Sequence, residues 1–168
     1  LRACRIVATV SPRPCGYLRP SRVLSKRSFE NAIRVLMAIG GSTNAIIHLT
    51  AIAKRIGIPL TLTDFNRIGD QTPVLVNLKP SGKYYMEDLA KSGGIPTVMK
   101  ELEESLHCQA ATINGKTIGE NLMEISSPPE WQDVIKTRKN PLLEGRGLTC
   151  LFGNLAPNGA IIKRSAAS

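Results

Sequence analysis

Aromatic residues are scarce in this sequence, at 4% of 168 residues, and no apolar run reaches the length of a membrane-spanning helix. A helix that crosses a bilayer needs about 20 consecutive apolar residues, so we expect no contact with a membrane. The scarcity of aromatics argues against nucleic-acid binding, because that function combines basic and aromatic side chains on one folded surface. A hydrophobic content of 42% nevertheless allows one domain with a real core.

Acidic residues are missing from residues 1–27, whose seven Lys and Arg side chains supply +7 of the formal net charge of +9. Residues 28–168 hold the other 15 basic and all 13 acidic side chains, so this body of the chain carries only +2. We therefore expect no specific nucleic-acid partner. The basic segment is rich in Arg, Ser and Pro, which fits either an organelle transit peptide or an extension that does not fold with the rest. A cytoplasmic location is predicted, with a mitochondrial one as the alternative.

The four cysteines, Cys4, Cys15, Cys108 and Cys150, are scattered and form no CxxC motif. In an intracellular chain of this length they need not form disulfides. His107 stands beside one of them, but two further ligands for a metal ion are not in view. The cysteine pattern therefore predicts no metal ligand.

The strongest helix pattern is "FENAIRVLMAI", where apolar residues recur on one face. Ser28 is predicted to cap this helix, and Gly40 to close it in the left-handed conformation. Ser42 or Thr43 is predicted to cap the following helix, "NAIIHLTAIAKRI", which Gly57 ends. Because apolar residues surround this second helix almost completely, we expect it to be buried on several sides.

Shorter elements follow along the chain. The stretch "DFNRI" predicts a helical turn, "TPVLVNL" a buried strand, and "MEDLAKSGG" and "IPTVMKELEESLH" two short helices. Asn114-Gly115 is a strong hairpin signal, and Thr117 is predicted to cap a helix over "IGENLMEI". From Leu148, "LTCLFGNLAPNGAIIK" predicts two strands around a Pro-Asn-Gly turn.

Five small or polar residues, "GGSTN", separate the two long helix patterns. The glycines permit a sharp turn and the close approach of a ligand. Ser42, Thr43 and Asn44 then fall at the N-terminus of the second helix, where unpaired backbone N–H groups and the helix dipole favour an anion. We predict that these three residues border a site for a substrate carboxylate or phosphate. The alternative is that Ser42 only caps the helix and the glycines only permit tight packing.

Three further features are candidates for the same site. His48 lies four residues after Asn44, on the same helix face, and is predicted to point into the pocket or to be a satisfied core residue. The turn "KPSG" at residues 79–82 brings backbone towards the site or is an ordinary solvated turn. The stretch "SGG" at residues 92–94 is interpreted as a helix stop rather than a phosphate cradle.

Several long blocks of the chain resemble the dihydroxy-acid and phosphogluconate dehydratase family. They follow the order and spacing of that family over residues 19–168, whereas residues 1–18 have no counterpart that we can identify. The resemblance implies an internal fragment of such an enzyme, preceded by a basic head that we expect to be disordered. The blocks are "SFENAIRVLMAIGGSTNAIIHLTAIAKRIGIPLTLTDFNRI", "TPVLVNLKPSGKYYMEDLAKSGGIPTVMKEL", "TINGKTIGENL" and "GNLAPNGAIIKRSAAS".

The fold implied by the resemblance is of the α/β class. Residues 19–140 are expected to form the C-terminal part of a three-layer-like N-terminal dehydratase domain. Residues 141–168 are expected to begin a β-barrel-like C-terminal domain, in agreement with the change of pattern from helical to extended near residue 140.

The activity implied by the resemblance is that of a hydro-lyase, which removes water from a 2,3-dihydroxy carboxylic acid and yields a 2-keto acid. In such enzymes an iron–sulfur cluster acts on the leaving 3-hydroxyl, Mg²⁺ binds the substrate carboxylate and 2-hydroxyl, and a serine alkoxide takes the C2 proton. Blocks resembling "CDKN", "ACGGM" and "GRFSG", which belong to this machinery in the family, do not occur in this sequence. We therefore expect no catalytic residue, no metal ligand and no activity on this chain by itself.

The substrate is expected to be an aldonic sugar acid, such as arabinonate or xylonate, or else a dihydroxy acid of branched-chain amino-acid synthesis. The blocks "NLKPSGKYYMEDL" and "AIIKRSAAS" are more similar to the sugar-acid branch. Phosphogluconate is the third candidate substrate, because no cluster of arginines is suited to bind its phosphate group. The resemblance also implies a homo-oligomer when the protein is complete. The alternative from another class is a non-catalytic binding or subunit-interface module built on the same scaffold.

Overall fold

The computed structural model describes residues 19–126, 128–129 and 131–164. The basic head, with Cys4 and Cys15, lies outside the described residues. None of the helices in this described part is long and apolar enough to cross a bilayer. The helices are α1 Pro20–Val23, α2 Lys26–Ala38, α3 Thr43–Arg55, α4 Leu62–Asp70, α5 Met86–Lys91, α6 Gly94–Glu101 and α7 Ile118–Leu122, with a 3-10 helix at Glu103–Ser105. The strands are β1 Leu148–Gly153 and β2 Ala156–Lys163. Helices with a small antiparallel sheet are compatible with the predicted α/β class.

The N-cap of the first long helix, α2, lies three residues before the predicted cap. Ser25 is the N-cap: its Oγ accepts the backbone N–H of Ser28 at 3.3 Å, and Ser28 Oγ accepts the backbone N–H of Ser25 at 2.8 Å. The prediction that Ser28 caps the helix is therefore wrong, because Ser28 is the third helical residue and completes a reciprocal capping box. Gly40 follows the helix with φ +58°, as predicted.

The second long helix, α3, is capped by Ser42 as predicted. The expectation that it is buried on several sides is wrong within the described residues. Its only buried residues are Ile46 and Ala53, whereas Ile47 is 64% and Ile52 is 47% exposed. The main contacts of α3 are with α2 and β2. Helix α3 therefore presents apolar surface to the outside.

The stretch predicted as a buried strand, residues 72–78, is extended but does not form a continuous ladder. It makes single antiparallel bridges, from Val74 to Leu143 and from Val76 to Ile135. The valines are buried, as the apolar run indicates. A regular strand is absent from this stretch because successive residues pair with different segments.

The turn at Asn114-Gly115 forms as predicted. Ala111 bridges Thr117 in antiparallel fashion, and Gly115 has φ +84°. Thr117 caps α7 as predicted, since its Oγ1 accepts the backbone N–H of Glu120 at 3.2 Å.

The last two strands pair in antiparallel fashion, with Leu148 opposite Lys163. The chain reverses at Asn154 and Leu155, between the two strands. The prediction of a Pro-Asn-Gly turn is therefore wrong, because residues 157–159 lie inside β2. The connection that forms has two residues, the length that best suits a hairpin.

Buried apolar side chains form two clusters that share α2. One cluster joins α2, α3, α4 and β1, with Phe65, Ile68 and Leu148 fully buried. The other packs the end of α2 against the extended stretch 72–78, helices α5 to α7 and the segment around Ile135. Because α2 contributes to both clusters, it holds the described part of the chain together.

An ion-pair group on α2 ties two distant segments to it. Glu30 Oε2 lies 2.6 Å from His107 Nε2, and Glu30 Oε1 lies 3.3 Å from Arg67 Nη2. Burial raises the pKa of Glu30, but the hydrogen bonds and charges of His107 and Arg67 outweigh that effect, so the pKa lies below its ordinary value. A pKa lowered by folding stabilises the folded state above the unfolded pKa, and this contribution is lost as the pH falls through the folded value.

We expect Glu30→Gln to lower the free energy of unfolding by about 1 kcal/mol near neutral pH, after allowing for solvent screening of the half-exposed Arg67. The difference from wild type should shrink once the pH falls below the ordinary carboxyl pKa of 4.5 and disappear in stronger acid. Urea denaturation at a series of pH values measures it. The exposed Glu144, which has no ion pair among the described residues, supplies the control variant Glu144→Gln, with little effect at any pH. A Glu30→Gln effect that stays constant down to strong acid contradicts this account.

Candidate functional site

A cleft of about 870 Å³ opens at the N-terminus of α3. Its walls are the turn at residues 40–43, the stretch at residues 74–82 and the end of β2 at Lys163, with Leu142 and Leu143 at one edge. The "GGST" and "KPSG" stretches, far apart in the sequence, thus face the same space.

The first wall is the tight turn between α2 and α3. Gly40 has φ +58°, and the Gly41 backbone N–H donates to Leu36 O at 3.0 Å. A Cβ on Gly41 would lie 2.4 Å from Leu36 Cδ1, so the absence of a side chain lets the turn fold back on α2. Ser42 and Thr43 line the cleft directly after this turn.

The second wall is the turn at residues 79–82, which the buried Asn77 holds in place. Asn77 Oδ1 accepts the backbone N–H of Lys83 at 3.0 Å, and the Gly82 N–H donates to Leu78 O at 2.8 Å. A Cβ on Gly82 would lie 2.2 Å from Asn77 Oδ1 and 2.6 Å from the Asn77 carbonyl carbon. Only glycine fits there without moving the turn.

Lys79 places a positive charge at the rim of the second wall. Its Nζ lies 2.5 Å from the Tyr85 hydroxyl and 4.0 Å from the centroid of the Tyr85 ring. The peptide bond between Lys79 and Pro80 is cis. The contact with the aromatic ring holds the ammonium group close to the turn.

The third wall depends on how the hairpin meets the end of α2. A Cβ on Gly147 would lie 2.6 Å from Met37 O and 3.3 Å from Gly40 Cα, so the chain before β1 runs directly against the turn. Leu148 follows and is fully buried, and its partner across the sheet is Lys163. The register of the hairpin therefore places Lys163 beside the start of α3.

The charges around the cleft have one sign. Lys79 and Lys163 line it, and no Asp or Glu is among the described residues that do so. The N-terminus of α3, a helix of 13 residues, adds partial positive charge. The hydroxyl side chains of Ser42, Thr43 and Ser81 line the cleft, and Ser42 Oγ, which accepts the Asn44 N–H as the helix cap, keeps its own O–H as a donor. This arrangement suits a small organic anion that carries hydroxyl groups.

The structure brings together two of the four predicted site residues. Ser42 and Thr43 line the cleft, whereas Asn44 is exposed and donates its backbone N–H to Ser42 Oγ at 3.2 Å. His48 is exposed and lines a different groove, an apolar one between α2, α3 and α6 that includes Val35. The roles of these four residues in substrate binding stay predictions.

The cysteines and carboxylates in the described part of the chain do not assemble a metal site. No group of three or more His, Cys, Asp or Glu side chains there is placed to hold a metal ion. Burial raises the pKa of both described thiols, Cys108 and Cys150, and the carboxylate of Glu103 adds to the effect at Cys108. The described residues therefore do not fit the iron–sulfur cluster or the Mg²⁺ that the resemblance implies.

Sequence reasoning missed two residues of the cleft. Asn77 is a buried polar residue at the end of an apolar run, and that position is a detectable signal for a side chain that organises the next turn. Lys163 ends an apolar strand, but its place beside α3 depends on the register of the hairpin, which no local pattern shows.

Together, the fold and the cleft define an α/β protein with a pocket suited to a small anionic molecule. The profile of the dihydroxy-acid/6-phosphogluconate dehydratase N-terminal family matches residues 2–121, and the chain belongs to this family. The predicted resemblance is thereby confirmed. The match extends into residues 1–18, for which the sequence analysis found no counterpart.

The curated relatives that the chain matches include proteins named as dihydroxy-acid and sugar-acid dehydratases. A dihydroxy-acid dehydratase of Cytophaga hutchinsonii is 49% identical over 148 residues, or 87% of this chain and 26% of the relative. An L-arabinonate dehydratase of Rhizobium leguminosarum is 49% identical over 154 residues, or 90% of the chain and 26% of the relative. A dihydroxy-acid dehydratase of Prochlorococcus marinus is 52% identical over 151 residues, or 88% and 27%. The chain thus spans about a quarter of the length of these relatives.

Proposed function

We propose that this chain forms part of a hydro-lyase that dehydrates a 2,3-dihydroxy carboxylic acid. In this reaction C2 loses a proton and C3 loses its hydroxyl as water, and the resulting enol tautomerises to the 2-keto acid. The observation that carries the proposal is the cleft at the start of α3, which is lined by two lysines and three hydroxyl side chains and by no described carboxylate. A substrate with one carboxylate and several hydroxyls matches that lining.

The contribution of this chain is to bind and orient the substrate rather than to perform the chemistry. The described lining contains no carboxylate, histidine or cysteine to move a proton. The cluster and Mg²⁺ of the family reaction are therefore proposed to be held by residues other than the described ones, and no step through them is assigned to this chain. By itself the chain is proposed to be inactive.

An aldonic sugar acid is the favoured substrate class, with a branched-chain dihydroxy acid second. The relative named L-arabinonate dehydratase is 49% identical to this chain, as is a relative named dihydroxy-acid dehydratase. Identity alone does not separate the two classes, so the preference rests on the sugar-acid-like blocks around residues 77–89 and 160–168. No arginine is among the described lining residues, which disfavours a phosphorylated acid.

The proposal extends to the complete protein. Residues 19–140 are proposed to belong to a three-layer-like domain and residues 141–168 to the beginning of a β-barrel-like domain. The complete enzyme is proposed to be a cytoplasmic homo-oligomer.

The exposed apolar face of α3 favours a second candidate function, that of a non-catalytic binding or subunit-interface module. Ile47 and Ile52 expose about half or more of their surface, and such residues on one helix are typical of a contact surface. A chain that acts in this way would associate without any effect on a dihydroxy acid.

We expect the purified chain, supplied with iron, sulfide and Mg²⁺, to form no 2-keto acid from L-arabinonate above the background rate. A chimera in which this chain replaces the matching 154-residue segment of the Rhizobium leguminosarum enzyme is expected to be active. Turnover of L-arabinonate by this chimera, measured as 2-keto acid released, supports the proposed function. A correctly folded chimera without turnover on either substrate class contradicts the proposal and favours the interface module.

A further inference from the structure

A polar strip runs along α2 between the two apolar clusters. Glu30 and Arg34, one helical turn apart, lie on the same face of α2. Met37, on one side of this face, packs in the cluster with α4 and β1, and Ala38, on the other side, packs in the second cluster. The two charged side chains therefore lie between buried apolar surfaces, and both are half-buried.

The carboxylate of Glu30 is engaged by partners other than Arg34. Its Oε2 lies 2.6 Å from His107 Nε2, and its Oε1 lies 3.3 Å from Arg67 Nη2. Nε and Nη1 of Arg34 are shielded from solvent and have no hydrogen-bond partner in the part of the chain that the structure describes, whereas Nη2 is not shielded. Loss of water without a replacement partner is unfavourable for a guanidinium group. Arg34 therefore lacks an acceptor, and Nη2 is the nitrogen that an acceptor can reach.

Two further arginines lie close to the polar strip. Arg67 reaches it through its ion pair with Glu30, and Arg138 is fixed by a hydrogen bond from its guanidinium group to Ser105 Oγ. Burial lowers the pKa of the Arg34 guanidinium; the charge of Glu30 opposes this effect, and the charges of Arg67 and Arg138 add to it. Three guanidinium groups from distant parts of the sequence thus surround one position.

We propose that Arg34, together with Arg67 and Arg138, binds the phosphate group of a small molecule. A phosphate group carries about 1.5 to 2 negative charges at neutral pH and three strong acceptor oxygens. It can therefore accept from Arg34 Nη2 and offset the repulsion from the two neighbouring guanidinium groups at the same time. None of the three arginines lines the cleft, so this second anion site is separate from the cleft and does not depend on the proposed function.

The test is a titration of the ¹⁵N-labelled full chain with sodium phosphate, with sodium chloride added to keep the ionic strength constant. We expect saturable shifts of the Arg34 side-chain Nε–H signal and of the amides at residues 103–107. Arg34→Met keeps the length of the side chain without its charge and should weaken the affinity at least roughly tenfold. Arg34→Lys should weaken it about fivefold, because an ammonium group is a point charge without the planar fork of arginine.

Arg55→Gln is the matched control, because Arg55 is exposed near the end of α3. This variant should bind phosphate like wild type. Urea denaturation gives a second measurement. Without phosphate, Arg34→Met should be at least as stable as wild type, because it removes a charge that lacks a partner. Added phosphate should raise the urea midpoint of wild type and Arg55→Gln more than that of Arg34→Met, which separates binding from the general effect of the salt.

Sodium acetate separates recognition of a phosphate group from recognition of a single carboxylate. We expect acetate to bind at least roughly tenfold more weakly than phosphate, because it supplies one charge and two acceptor oxygens. Acetate that binds as tightly as phosphate overturns the assignment of a phosphate group to this site.

Two other results overturn the inference. Equal phosphate affinity in wild type and Arg34→Met removes Arg34 from the site, and if Arg34→Met does not fold, equal affinity in wild type and Arg34→Lys has the same meaning. The absence of any saturable shift in the folded wild-type chain also overturns it. Neither result bears on the proposed function, which the turnover of the chimera tests separately.

Discussion

Replacing Phe65 with alanine is expected to lower the free energy of unfolding by about 4 kcal/mol. Phe65 is fully buried in α4, in the cluster that joins α2, α3, α4 and β1. The substitution removes the apolar surface of the ring and leaves a cavity that its neighbours fill only in part. Because α4 also holds β1 through paired hydrogen bonds between Asn66 and the Cys150 backbone, at 2.7 and 2.8 Å, loosening of α4 reaches the hairpin.

The matched control is the same substitution at Phe152, which is 54% exposed on β1. Phe152→Ala should cost less than about 1 kcal/mol, since little buried surface is lost. Urea denaturation followed by circular dichroism measures both variants. Similar losses in the two variants would show that the cluster around Phe65 is not a principal source of stability, and would contradict the packing described here.

Gly82→Ala is expected to destabilise the chain by about 3 kcal/mol and to distort the cleft. The added Cβ would lie 2.6 Å from the Asn77 carbonyl carbon and 2.8 Å from Leu78 N, and both are backbone atoms. These atoms cannot move freely, because the Asn77 N–H donates to Val134 O at 2.8 Å and Leu78 O accepts the Gly82 N–H at 2.8 Å. The turn at residues 79–82 must therefore open, and the second wall of the cleft is lost.

Gly153→Ala supplies the control for Gly82→Ala, because a Cβ at Gly153 would meet no atom within 4 Å. It should leave the stability nearly unchanged, and binding of L-arabinonate should be weakened only by Gly82→Ala. Urea denaturation measures the stability, and a titration of the ¹⁵N-labelled chain with L-arabinonate, followed through amide chemical shifts, measures the binding. A Gly82→Ala chain with unchanged stability and unchanged amide shifts at residues 77–83 would contradict the close contact between Asn77 and the turn.

Local chemistry explains which elements were predictable. The long helices α2 and α3, the left-handed Gly40, the cap at Ser42 and the turn at Asn114-Gly115 all follow from interactions within a few residues. The cap of α2 was misplaced because Ser25 and Ser28 both bear hydroxyls, and their reciprocal bonds decide between them. The hairpin turn was misplaced because a Pro-Asn-Gly stretch is a strong turn signal, yet the pairing of the strands outweighs it.

The site was predictable only in part. The N-terminus of α3 and the "KPSG" turn were both identified as candidates, because glycine and hydroxyl side chains at those positions have local meanings. Both segments are walls of one cleft, in agreement with the first of the two alternatives predicted for the "KPSG" turn, and the buried stretch 72–78 leads directly into that turn. His48 shares its helix with Ser42 but lies along the apolar groove, because packing against α2 sets the rotation of α3.

The sequence by itself determined the family, the two long helices and the small polar residues at the start of α3, because these depend on residue types at fixed short spacing. Only the tertiary structure decided that Lys163 and Asn77 line the same cleft as the N-terminus of α3, and that α3 has an exposed apolar side. The physical reason is that register and packing are cooperative properties of several segments, whose preferred contacts are set by shape and burial across the whole described chain rather than by any one stretch.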